Sequence, residues 1–126
     1  MKPIPQPSDF ELQILGVLWE RGALTVRDVA AHLPDRKPRA YTSVLSVMQV
    51  MEKKGYLTHT VSGKAHIYAA KVSKTRILGG VMGKLVALVF GGNPAAAVQA
   101  LLEDQDVTSA ELAEMRRLIA AKSRKP

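Results

Sequence analysis

Residues 56–61 (Tyr-Leu-Thr-His-Thr-Val) and 65–69 (Ala-His-Ile-Tyr-Ala) read as strands, and Ser62-Gly63 between them is a hairpin-turn signal. This pair of runs constrains the fold most, because it interrupts a chain whose other apolar residues recur at helical spacing. The reading is therefore mainly α with a small β-hairpin.

The segments before the hairpin are well punctuated. Ser8-Asp9-Phe10-Glu11 is a capping box, and Phe10, Ile14, Val17 and Leu18 follow at helical spacing with Leu15 and Trp19 beside them, up to Gly22. Thr25-Val26-Arg27-Asp28 is a second N-cap signal; Val26, Val29, Ala30 and Leu33 form a short stripe that Pro34 ends. Residues 35–39 are a polar, proline-containing loop. A third helix is predicted over residues 40–54, with Gly55 at C′, where left-handed backbone favours glycine. After the hairpin, Ser73 can cap a helix to Phe90, which Gly91-Gly92 ends. Asn93-Pro94 opens another to about Glu103, and Thr108-Ser109-Ala110-Glu111 caps a last one to about Lys122. The tail 123–126 is expected to fray. Three helices followed by a hairpin is the order of a winged helix-turn-helix domain, whose third helix enters a DNA major groove beside a wing on the backbone. The expected division is a winged-helix DNA-binding domain over residues 1–72 and a C-terminal helical dimerisation region over 73–126.

Charge points the same way. The chain carries 18 Lys+Arg against 11 Asp+Glu, a net +7. Residues 34–76 hold nine basic and two acidic side chains, an excess equal to that of the whole chain. A localised basic segment is the footprint of a polyanion partner. With no cysteine, disulfides, thiolate catalysis and cysteine-ligated metals are excluded. A short secreted chain usually needs disulfides, so a cytoplasmic location is expected. The first ten residues hold three prolines and no apolar segment, so no signal peptide is expected. The apolar stretch 77–92 is too short and too broken by Lys84 and glycines to span a bilayer.

On the third helix, Val44, Val47, Met48 and Met51 share one face, with Tyr41 near its edge. The opposite face carries Thr42, Ser46, Gln49 and Lys53, flanked by Ser43 and Val50. An ordinary solvent face would carry Glu, Lys and Arg, which form helix better than Ser and Thr. Small hydroxyls let a helix approach the groove, Gln pairs with an adenine edge, and Thr touches a thymine methyl. Lys53 suits a phosphate, as does Lys64 at the wing tip. Arg36, Lys37 and Arg39 precede the third helix and can clamp the backbone. The predicted DNA-binding residues are Arg39, Thr42, Ser43, Ser46, Gln49, Lys53 and Lys64.

The matching pieces make the chain resemble the penicillinase-repressor (BlaI/MecI/CopY) family of bacterial transcription factors. They are Glu11-x-x-Ile14-Leu15-x-x-Leu18-Trp19, Thr25-Val26-Arg27-Asp28-Val29, residues 40–49, Glu52-Lys53-Lys54-Gly55-Tyr56-Leu57, residues 63–68, and Phe90-Gly91-Gly92-Asn93-Pro94. The resemblance extends to the final Ser/Thr-x-x-Glu-Leu helix. It implies a homodimeric repressor that binds double-stranded DNA at inverted-repeat operators. It maps the recognition helix onto Thr42, Ser43, Ser46, Gln49 and Lys53 and the wing onto Lys64. Many relatives carry Arg-Leu where Val50-Met51 stand here. The Asn-Phe bond cut in β-lactam-responsive relatives aligns with Ala100-Leu101, and the cysteine cluster of copper-responsive ones has no counterpart. Release by a sensor protease or by a ligand stays open.

The C-terminal stripes Ile77, Val81, Leu85, Leu88 and Val89, then Val98, Leu101 and Leu102, then Leu112, Met115, Leu118 and Ile119 are more apolar than short helices hide alone, so they are read as dimerising. His59 and His66 lie on adjacent predicted strands, but no carboxylate is placed by spacing to complete a metal site, so they read as hairpin residues. No Walker or dinucleotide loop and no nucleophile elbow occurs. Neither an enzyme nor a cofactor is expected. The competing reading is a basic helical protein-interaction module without sequence-specific DNA binding.

Overall fold

Ser8 opens α1 (Asp9–Arg21): its Oγ accepts the Glu11 N–H at 3.2 Å, and Glu11 Oε1 accepts the Ser8 N–H at 2.9 Å. The computed structural model describes residues 6–124. The reading of residues 1–10 as free of a signal peptide and the fraying of 125–126 lie, in those parts, outside the described residues.

Next comes β1 (Leu24–Thr25), then α2 (Val26–Ala31), capped by Thr25 Oγ1 accepting the Asp28 N–H at 3.1 Å. α3 (Tyr41–Lys53) starts at Ala40 without a side-chain cap. It ends where the Tyr56 N–H donates to the Met51 carbonyl at 2.9 Å across Gly55, whose φ of 90° is the left-handed geometry that closes such a turn. The wing is β2 (Leu57–Ser62) and β3 (Ala65–Ala70), paired from Leu57 opposite Ala70 to Ser62 opposite Ala65. Its two-residue turn is Gly63-Lys64, one place beyond the Ser62-Gly63 expected; Gly63 takes the required positive φ of 62°. β1 adds a third antiparallel strand, in the order β1-β3-β2, with Leu24 opposite Tyr68.

The core of this part is aliphatic, with two buried tyrosines. Ile14, Leu15 and Leu18 of α1, Val29 of α2, and Val44, Met48 and Met51 of α3 meet Tyr56, just ahead of β2, and Leu57 and Tyr68 of the sheet. Trp19 packs beside them and donates its Nε1–H to the Val72 carbonyl at 3.0 Å. The chain then continues in α4 (Lys74–Val89), α5 (Pro94–Asp104) and α6 (Ser109–Ser123). Ser73, Asn93 and Thr108 cap them as their sequence signals predict.

Two compact units result, one ending at Met82 and the other beginning at Gly83. The boundary between these two units lies within α4. The reason is Ile77: it is buried in the core of the first unit, and Val81 packs against that core. These two residues therefore do not share the exposure of the other proposed dimerisation residues. In the second unit no residue of α5 or α6 is buried, and Leu88 (73%), Val89, Leu118 and Ile119 (61%) are strongly exposed. No single helix among the described residues is long and apolar enough to cross a membrane.

Candidate nucleic-acid interface

α3 buries Val44, Met48 and Met51 against the core, which turns Thr42, Ser43, Ser46, Gln49 and Lys53 outward. All five are exposed, and no hydrogen bond or ion pair among the described residues engages their side chains. Val50 is exposed beside them. A helix of 13 residues thus presents a row of unsatisfied hydroxyl, amide and ammonium groups.

The sides of this helix differ. On one, Gln49, Tyr41 and Leu45 share a cleft with Lys64 and His66 of the wing and Arg27 of α2. The structure therefore brings Gln49 and the wing-tip lysine to a common opening. Ser46 and Val50 line a separate shallow depression with Phe10 and Glu11 of α1. Arg27, Tyr41 and His66 were not among the predicted site residues. Arg27 was legible as the exposed second residue of α2, but its nearness to the wing depends on tertiary packing.

Both ends of α3 are held by α1. Beyond its C-terminus, Lys54 Nζ donates to Glu11 Oε2 at 2.9 Å. Glu11 is only 4% exposed. Burial pushes its carboxyl up, but hydrogen bonds from the Ser8 backbone and Lys54, with the Lys54 charge, outweigh this and leave its pKa below 4.5. Ahead of the N-terminus, Arg39 donates to both Asp35 oxygens at 2.8 and 2.7 Å, while Gln13 of α1 donates to Asp35 at 3.0 Å. Arg39 also lies 4.2 Å over the Phe10 ring. Its hydrogen bonds hold the Asp35 carboxyl well below the usual carboxylate range. Arg39 was expected at a DNA phosphate; here its guanidinium is engaged by Asp35 and Phe10. Lys53 and Lys64 carry no such partner.

The wing is tied to α3 by His59, whose Nδ1 donates to Glu52 at 2.7 and 2.8 Å and whose ring stacks on His66 at 4.7 Å. The carboxylate that spacing did not reveal comes from α3. Among the described residues, no group of three or more His, Cys, Asp or Glu is arranged to hold a metal ion.

A helix-turn-helix followed by a hairpin, with β1 completing the sheet and an unpaired polar face on the third helix, defines the winged helix-turn-helix class. The sequence pattern of the penicillinase repressor family matches residues 7–121, and the chain belongs to that family. The family is one of transcriptional repressors, not of enzymes. The chain is 23% identical over 119 residues to the penicillinase repressor of Bacillus licheniformis, covering 94% of this chain and 93% of that protein. It is 31% identical over 83 residues to the transcriptional regulator BlaI of Mycobacterium tuberculosis, covering 65% of this chain and 60% of that one. The solution structure of the DNA-binding domain of the repressor BlaI matches with a TM-score of 0.51 and 26% identity, over 60% of this chain and 93% of that domain. The monomeric form of Bacillus licheniformis BlaI in complex with the blaP half-operator matches with a TM-score of 0.50, 26% identity and the same coverage.

Proposed function

We propose that this chain is a cytoplasmic, homodimeric repressor that binds an inverted-repeat operator in double-stranded DNA. The observation that carries this reading is the unpaired outer face of α3. Thr42, Ser43, Ser46 and Gln49 offer hydrogen-bonding groups that no described residue uses, and Lys53 and Lys64 flank them with charge unpaired among the described residues. α3 enters the major groove, where Gln49 and the hydroxyls read base edges. Lys53 and Lys64 contact phosphates, and the wing lies along the backbone. Arg39, held by Asp35, sets the loop before α3. Residues 1–72 form the DNA-binding domain, Ile77 and Val81 of α4 complete its core, and the rest of residues 73–126 carry the dimerising helices.

Leu85, Leu88, Val89, Val98, Leu101, Leu102, Leu112, Met115, Leu118 and Ile119 give two copies a shared apolar face. All are exposed except Met115, which is partly covered. Two linked half-site readers gain effective concentration at the second half-site. A sensor protease or a small ligand then releases the repressor. Support comes from the family and from the relative solved with its half-operator.

Selection of bound duplexes from a random-sequence DNA library tests this. Recovery of one inverted-repeat motif is expected, and Gln49→Ala should change the preferred bases within it. Recovery without sequence preference would instead favour the protein-interaction module.

A further inference from the structure

A second cleft, of about 750 Å³, lies along α2 and is lined by Arg21 at the end of α1, Arg27 of α2, and Arg36 and Lys37 of the loop before α3. Its apolar lining includes Ala30 and Ala31, whose small side chains leave the concavity open. No acidic residue lines it. Asp35, next to Arg36 in the chain, is engaged by Arg39, Gln13 and the Lys37 backbone N–H. The side chains of Arg21, Arg27, Arg36 and Lys37 have no hydrogen bond or ion pair among the described residues. Four like charges around one concavity repel each other until an anion is present.

Arg36 adds a second observation. Its φ of 54° is the one positive value at a non-glycine among the described residues, and its N–H donates to the Leu33 carbonyl at 3.2 Å to hold the turn. Glycine or asparagine would make this turn with less strain. Arginine instead adds a guanidinium to the cleft, and that group matches the geometry of a phosphate.

The third observation is adjacency. Arg27 lines both this cleft and the one that holds Gln49 and Lys64. Arg27 therefore stands between the two clefts, adjoining the wing-side one that holds Lys64 and the α2 one that holds Arg36.

We propose that the α2 cleft binds phosphodiester groups of the same duplex outside the base pairs that α3 reads. The proposal rests on the repressor reading above. Under it, the operator footprint is longer than the inverted repeat, and the flanks contribute affinity that is independent of their sequence. The chemistry is that of a phosphate oxyanion, and DNA backbone is favoured over a free anion because the cleft shares Arg27 with the one that holds Gln49 and Lys64.

The test uses the full chain and the selected inverted repeat in two lengths: one duplex trimmed at the repeat's outer base pairs, one extended by about eight base pairs of arbitrary sequence on each side. Affinity is measured by fluorescence anisotropy across a salt series. Extension is expected to tighten binding about ten-fold and to steepen the log–log salt dependence by about 2 per half-site, as two further phosphate contacts would. In the double variant Arg36→Asn/Lys37→Gln that gain and the added salt slope should vanish, while the trimmed duplex weakens far less than the extended one. Asparagine is chosen because it tolerates left-handed backbone. Arg21→Gln, on a helix, should lose part of the gain without touching that turn. No gain on extension, a gain that survives the double variant, or equal weakening on both duplexes would overturn the proposal. So would stoichiometric binding of inorganic pyrophosphate without DNA that the double variant abolishes, because the cleft would then be a small-anion site. Loss of sequence preference on the trimmed duplex itself would instead be a failure of the repressor reading.

Discussion

The Glu11 carboxylate serves two helices at once, one oxygen on the Ser8 N–H and the other on Lys54. Its pKa is lowered in the folded chain, so around pH 4.5 the unfolded chain binds more protons than the folded one. The stability it supplies is complete above about pH 4.5 and is lost as pH falls through its lower folded value. Asp35 behaves the same way below its ordinary 3.8, chiefly because Arg39 bonds to it. Glu11→Gln should therefore destabilise the protein at neutral pH and flatten the fall of Tm between pH 5 and 3. An unaltered acid slope would show that the carboxylate is not coupled to folding. Met48 is fully buried in α3. Met48→Ala should cost about 2–5 kcal/mol in a urea titration, because the cavity adds to the lost transfer energy. The face that packs this residue was legible from periodicity alone. The partner of Lys54 was not, since Glu11 lies 43 residues away and only tertiary structure brings it near, whereas Arg39 has its acid, Asp35, four residues back in the chain.

At the scale of elements, α1 is the bracket on which α3 is mounted, through Gln13 and Asp35 before its start and Glu11 and Lys54 beyond its end. This separates two basic residues by experiment. Lys64→Ala should weaken all DNA sequences alike and reduce the salt slope by about 1 for each half-site. Arg39→Ala should lower Tm and leave the slope unchanged; a reduced slope would return Arg39 to the phosphate role. Most helices could be read beforehand because each has a side-chain cap at its start, and α3, which has none, has a glycine just past its end. β1 could not, since two residues carry no periodicity, and Leu24 and Thr25 become a strand only by pairing with Tyr68 and Ile67. The place of Ile77 was hidden for a related reason. Its stripe in α4 is continuous with Leu85 and Leu88, and only the three-dimensional core distinguishes a residue buried within the subunit from those left exposed.

For the whole molecule, the exposed apolar residues of the second unit predict association. Light scattering at micromolar concentration should give the mass of a dimer, and Leu88→Asp with Ile119→Asp should give a monomer that binds its operator more weakly while the first unit stays folded. A wild-type monomer would remove the dimerisation reading. The second unit also differs from the first in its chromophores. Trp19 is the sole tryptophan, and the three tyrosines, Tyr41, Tyr56 and Tyr68, also precede Gly83. Trp19 is bonded to the Val72 carbonyl, so its emission reports the state of the winged helix and is silent about α5 and α6. Far-ultraviolet circular dichroism, by contrast, sums the helices of both units. The chain carries a built-in optical separation: where the two signals melt together the units unfold as one, and where they diverge each unit has its own transition.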